Sequence, residues 1–242
     1  MSESNIRYSS EIPNSDRLIF ALDVPNTDTA RQLVTELGDA VTFYKLGLEL
    51  CMSGGYFELL DWMVQQEKRI FVDLKFFDVP ATVASAVRNL RDRGVTYATV
   101  HGNQSIMEAA GEAKGDVKIL AVTALTSLDR GDLDDLGFQC DIDQLVLSRA
   151  RRSLEAGCDG VIASGLEVDA LRKAVDDKLL VITPGIRPVE NRPDDDQKRV
   201  VTVEDAFRKG ADHIVVGRPI KNAEDPRAAA QAIQATIVDV FG

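Results

Sequence analysis

The sequence predicts an α/β fold built as one (β/α)8 TIM barrel domain. Three observations carry that expectation. Eight short apolar runs alternate strictly with helical patterns along the chain. The runs lack clear period-2 alternation, which suits parallel strands covered on both faces. Gly38-Asp39-Ala40-Val41, Gly94-Val95, Gly157-Cys158-Asp159-Gly160 and Gly210-Ala211-Asp212 each end a helix and start an even-numbered strand, about two βα units apart. A doubly wound sheet is the competing architecture, but eight similar units without a long break favour closure.

The elements follow in order. Arg17 to Asp23 reads as a buried strand ending in a carboxylate, and a helix from Thr27 to Leu37 stops at Gly38. Val41 to Lys45 is the second strand, and Gly54-Gly55 opens a helix whose Phe57, Leu60, Met63 and Val64 recur at helical spacing. The third strand begins at Phe71 and is over by Val79-Pro80. A helix over Pro80 to Arg93 leads to the fourth strand, Val95 to Val100, which closes with His101-Gly102. Helix Gln104 to Lys114 and strand Val117 to Thr123 come next, then a polar loop from Leu125 to Gly137. The second half reads as helix 142–155, strand 160–164, helix 168–175 and strand 179–183. It continues with a helix capped by Thr202-Val203-Glu204-Asp205, strand 213–218 and a last helix 226–240.

Composition narrows the function. The chain has 242 residues and a formal net charge of −11, which disfavours nucleic acid and anionic membrane as partners of the whole surface. No apolar run approaches the ~18–20 residues of a membrane span. Residues 1–16 are polar and are expected as a flexible N-terminal tail, with 17–242 as the catalytic barrel. Cys51, Cys140 and Cys158 are widely spaced and form no metal-ligand pattern, which suggests a reducing cytoplasm.

Chemistry concentrates where strands end, because a (β/α)8 barrel carries its site at their C-terminal ends. Those ends read Asp23, Lys45, Asp73 with Lys75, His101, Thr123, Ser164, Pro184-Gly185 and Gly217-Arg218. Strand alternation places Asp73 and Lys75 on one face. Asp78 follows three residues later, so two carboxylates flank one ammonium. Taken alone, that stretch also fits an ion pair closing the strand, with Asp78 capping the helix that starts at Pro80. Four alternating charges from three consecutive strands converging at one mouth make Lys45, Asp73 and Lys75 candidate catalytic residues. Asp23 could merely orient Lys45, and His101 reads as structural. The loops after strands seven and eight are the usual phosphate site of this fold. There Gly185 and Gly217 let backbone N–H groups approach an anion, and Arg187 and Arg218 supply fork-shaped donors. The aperiodic stretch from Pro188 to Val200 is expected as a lid.

Asp73-Leu74-Lys75-Phe76-Phe77-Asp78-Val79-Pro80 resembles the D-x-K-x-x-D-I-P signature of the orotidine 5′-phosphate decarboxylase family, with Val79 in place of the usual Ile. Lys45-Leu46-Gly47, Thr123 to Ser127, Thr183 to Pro188, Asp196 to Arg199 and Val216 to Ile220 are similar to the bacterial branch, in order. The resemblance implies a cytoplasmic homodimer that makes UMP from orotidine 5′-phosphate without metal or cofactor. It implies Lys75 as proton donor within a charged network of Lys45, Asp73, Lys75 and Asp78, the last reaching in from the other subunit. It implies Asp23 and Lys45 on the ribose, Thr126 on the pyrimidine, and Arg187, Gln197, Gly217 and Arg218 on the phosphate, with Thr82 reaching it from the neighbouring subunit. The rival readings are an Mg2+-dependent sugar-phosphate lyase or aldolase of the same superfamily and a non-catalytic phosphate-binding barrel.

Overall fold

The computed structural model describes residues 11–175, 178–187 and 200–242. Eight strands form a closed, all-parallel barrel in sequence order: β1 (Leu18–Ala21), β2 (Phe43–Leu46), β3 (Arg69–Phe76), β4 (Val95–His101), β5 (Lys118–Val122), β6 (Gly160–Ile162), β7 (Leu180–Thr183) and β8 (His213–Val216). Strand β1 pairs with both β2 and β8, so the sheet has no free edge. The helices are α1 (Thr27–Leu37), α2 (Leu48–Met52), α3 (Tyr56–Gln65), α4 (Pro80–Arg88), α5 (Gln104–Ala113), α6 (Arg130–Asp135), α7 (Ile142–Glu155), α8 (Val168–Ala174), α9 (Val203–Arg208), α10 (Arg218–Lys221) and α11 (Pro226–Phe241).

Burial divides into two apolar bodies. One lies between the strands and the helices, where Leu18, Phe20, Tyr44, Val72 and Val161 meet Leu37, Leu59, Val87 and Ile233. The other fills the barrel with Ile19, Ala21, Phe43, Phe71, Tyr97, Leu120, Val122, Ile162, Ile182 and Val215. Side chains two apart share a face. The inward series therefore continues from Ala21 to Asp23, from Phe43 to Lys45, from Phe71 to Asp73, from Tyr97 to Thr99 and from Val215 to Gly217. An apolar plug thus floors the mouth, and Asp23, Lys45, Asp73 and Thr99 follow it toward the strand ends.

The repeated helix-to-strand junctions have a mechanical basis. The Asp159 carboxylate accepts from the backbone N–H of Ile119 on β5 and pairs with Lys114. Asp212 does the same for Val181 on β7 and pairs with Arg172. Each ties an even strand's start to the odd strand before it.

Several boundaries differ from expectation. Helix α4 ends at Arg88, not Arg93, because Asn89 to Gly94 winds into turns with Asp92 and Gly94 left-handed. The polar loop 125–137 contains α6, whose Asp129 and Asp132 form a reciprocal capping box. Two short helices at the mouth, α2 and α10, follow β2 and β8 directly, so Arg218 opens a helix and does not end a strand. Within the segment expected as a tail, Asn14–Asp16 form a 3-10 turn, and buried Asp16 pairs with Arg69.

Candidate active site

A cavity of about 330 Å3 opens at the C-terminal ends of the strands. Its apolar floor is Ala21, Phe71, Val122, Ile162 and Val215. Along one wall runs an alternating chain of charges. The Lys45 ammonium lies 3.0 Å from Asp23 Oδ1 and 3.6 Å from Asp73 Oδ2, and the Lys75 ammonium lies 2.9 Å from that same Asp73 oxygen. Burial alone would push the Lys45 ammonium down, but Asp73 and Asp23 outweigh it and raise its pKa above the usual lysine value. Burial alone would push the Asp73 carboxyl up, but Lys45, Lys75 and hydrogen bonds from Lys75 and Thr99 outweigh it and hold it below the usual carboxylate value. Both buried groups are therefore charged at neutral pH.

Asp73 and Lys75 meet as expected, but not by simple alternation. Val72 pairs with Ala98 and Phe76 with Val100, so Asp73, Leu74 and Lys75 lie opposite the single residue Thr99. This bulge puts Lys75 at φ 48°, a left-handed backbone unusual for a side-chain-bearing residue. Asp78 does not join the network of its own chain. It is exposed, does not line the cavity, and accepts from the Val79 N–H at 2.6 Å. Nor does it cap α4, whose N-cap is Val79 without a side-chain bond. Thr82, in the first turn of α4, is likewise exposed and outside the cavity.

The candidate anion site shares this cavity. Pro184, Gly185, Arg187, Gly217 and Arg218 all line it, as do Thr126 and Ser127. Gly185 is left-handed at φ 77°, a conformation that turns its backbone without a Cβ penalty. Gln197 and the expected lid over 188–199 lie outside the described residues. His101 bonds Asn103 and stacks against Phe77 at 4.5 Å, away from the cavity.

Two residues escaped the sequence reading. Lys221 lines the cavity and donates to the Asp23 carbonyl at 2.7 Å. Its signal was the i+3 spacing from Arg218, visible only once Arg218-Pro219 is read as a helix start. Thr99 is fully buried and bonds both Asp73 and Lys75. Its signal was a hydroxyl two residues beyond Tyr97, on the same strand face.

Residues 16–233 match the model of the "Orotidine 5'-phosphate decarboxylase / HUMPS family". An orotidine 5′-phosphate decarboxylase of Methylococcus capsulatus is 65% identical over 237 residues, covering 98% of each chain. One of Xanthomonas axonopodis is 52% identical over 224 residues, covering 92% of each. Among solved structures, an orotidine 5′-phosphate decarboxylase of Lactobacillus acidophilus superposes with a TM-score of 0.82 at 34% identity, covering 92% of this chain and 99% of its own.

Proposed function

The chain belongs to the orotidine 5′-phosphate decarboxylase / HUMPS family and is a carboxy-lyase of its decarboxylase branch; we propose that it converts orotidine 5′-phosphate to UMP and CO2 through the charged chain at its mouth. The observation that carries the mechanism is the run Asp23–Lys45–Asp73–Lys75, ending in an ammonium beside open cavity.

Loss of CO2 from C6 of the pyrimidine leaves a carbanion in the ring plane, where delocalisation is poor. Stabilisation must then be electrostatic and already in place. Lys75 supplies it, and its help is differential because the ammonium lies nearer the new charge than it lay to the departing carboxylate. The same ammonium then protonates C6. Asp73, held ionised by two ammonium groups, faces the substrate carboxylate, so departure of CO2 relieves a repulsion. Lys45 and Asp23 grip the ribose, Thr126 meets the pyrimidine, and Arg187, Gln197, Gly217 and Arg218 take the phosphate.

The reaction needs no metal in this reading. Asp73 is saturated by two ammonium partners, which leaves it a poor ligand for Mg2+. Among the described residues, no group of three or more His, Cys, Asp or Glu is placed to hold a metal ion.

The active form is a homodimer with shared sites. Asp78 and Thr82 are exposed and lie outside their own cavity. Phe77 and Val79 flank Asp78 in the β3–α4 turn and are exposed, as are Leu48 and Met52 of α2, which follows the adjacent strand β2, Met52 at 82% and Phe77 at 65%. Large apolar side chains on neighbouring segments suit an isologous contact. The protein acts in the cytoplasm; among the described residues no helix is long and apolar enough to cross a membrane.

Turnover of orotidine 5′-phosphate in the presence of EDTA tests the function. Full activity in chelator supports it. Loss of activity that Mg2+ restores would overturn the metal-free reading, and no turnover at all would overturn the function in favour of the sugar-phosphate branch or a binding barrel.

A further inference from the structure

We propose that Thr99 is a positioning residue that sets the geometry of the Asp73–Lys75 pair. The proposal rests on the reading of that pair as the catalytic couple. Thr99 lies on β4 opposite the bulge of β3. The bulge lifts the Lys75 N–H out of the sheet ladder, beside the fully buried Thr99 side chain. The Thr99 hydroxyl accepts that N–H at 2.9 Å and donates its own proton to Asp73 Oδ1 at 2.9 Å. Both faculties of one hydroxyl are thereby used.

The result is a closed ring. Lys75 N–H bonds Thr99, Thr99 bonds Asp73, and Asp73 accepts the ammonium of the same Lys75 at 3.0 Å on that oxygen. Backbone and side chain of Lys75 are thus tied to each other through two other residues. A left-handed backbone at a side-chain-bearing residue persists only where its surroundings over-determine it, and the ring supplies that constraint. It also fixes the direction in which the Lys75 side chain leaves the strand. The barrel itself does not need this hydroxyl, because neighbouring Ala98 and Val100 keep their ladder and apolar contacts.

Val at this position keeps the shape and loses the hydroxyl; Ser keeps the hydroxyl and loses a buried methyl. Steady-state kinetics with orotidine 5′-phosphate and binding of UMP would be measured for wild type, Thr99→Val, Thr99→Ser and Lys75→Ala, each with its melting temperature. Thr99→Val should lose roughly 10–100-fold in kcat, the scale of a misplaced catalytic group, with KM and UMP affinity within about threefold. Thr99→Ser should stay within about threefold of wild-type kcat even where it melts lower. Thr99→Val with near wild-type kcat, Ser and Val losing activity equally, or a loss confined to KM would overturn the proposal. Should Thr99→Val not fold, Thr99→Ser against Thr99→Ala poses the same question, since those two differ only by the hydroxyl. An active wild type with an inactive Lys75→Ala alongside a fully active Thr99→Val removes this inference and leaves the function standing. An inactive wild type removes the function instead.

Discussion

The Lys75 ammonium sits 3.0 and 2.9 Å from the two oxygens of Asp73, two positions back in the chain, although the backbone at Lys75 turns left-handed within β3. A flat strand would place the two side chains in parallel, both facing the mouth. The bulge instead brings the ammonium across the carboxylate and leaves its side chain one-third exposed to the cavity. Asp73 gains a second counterion, and Lys75 keeps a face from which a proton can be delivered.

Removing the phosphate grip should separate binding from chemistry. Arg218→Ala should lower kcat/KM for orotidine 5′-phosphate by roughly 1.5–3 kcal/mol, the worth of a charge-assisted contact. Orotidine lacking the phosphate should hardly respond. Equal losses with both substrates would refute the assignment of Arg218 to phosphate.

Gly47 leaves room for the Lys45–Asp23 pair. A Cβ there would lie 3.0 Å from the Lys45 ammonium and 3.1 Å from Asp23 Oδ1. Its φ of −104° suits any residue, so Gly47→Ala costs space and not backbone strain. We expect a normal melting temperature and a kcat about tenfold lower, below the ~10²-fold of a full ångström displacement. Unchanged kcat would show that the pair tolerates the push.

Much of this was legible beforehand, and the exceptions share a cause. Asp23, Lys45, Asp73 and Arg218 could be read because barrel strands put their C-terminal ends, and the residues just past them, at one mouth. Period and apolarity carry that information. Thr99 and the bend at Lys75 could not, because a bulge changes which residues face each other and leaves the local pattern intact. Lys221 depended on α10, and α6 on a cap at Asp129, both too short for periodicity to register. The assignment of Asp78 to a partner's cavity rests on family resemblance alone; a lone carboxylate after a strand carries no sign of whose cavity it serves.

Below the active site, His213 should make stability fall with acid. It is buried, donates from Nδ1 to the Asp16 carbonyl, which can only accept, and takes the Tyr97 hydroxyl at Nε2. Burial pushes its pKa down to about 4. The unfolded chain then binds the extra proton between an ordinary histidine pKa near 6.5 and about 4, so this contribution is complete above pH ~6.5 and declines toward pH ~4, by roughly 3 kcal/mol in all. Urea unfolding across that range should show the stability advantage of wild type over His213→Gln shrinking as pH falls. A constant difference would mean that His213 does not titrate on unfolding.

Asp78 should act in the partner's site. Lys75→Ala chains and Asp78→Asn chains, each nearly inactive alone, would be unfolded and refolded together. In a mixed dimer one site receives both lesions and the other receives neither. Random exchange makes about half the dimers mixed, so activity should return to roughly a quarter of wild type. If Asp78 served its own chain, every site would carry one lesion and the mixture would remain inactive.

The central claim is that Lys75 delivers the electrostatic help and the proton. The direct measurement is decarboxylation of orotidine 5′-phosphate by Lys75→Ala, with circular dichroism and UMP binding as checks that the barrel and the phosphate site survive. The account predicts a folded, UMP-binding protein whose kcat has fallen by at least ~10²–10⁴-fold, the range for a proton-transfer group alone. Near-normal turnover by that folded variant would contradict it.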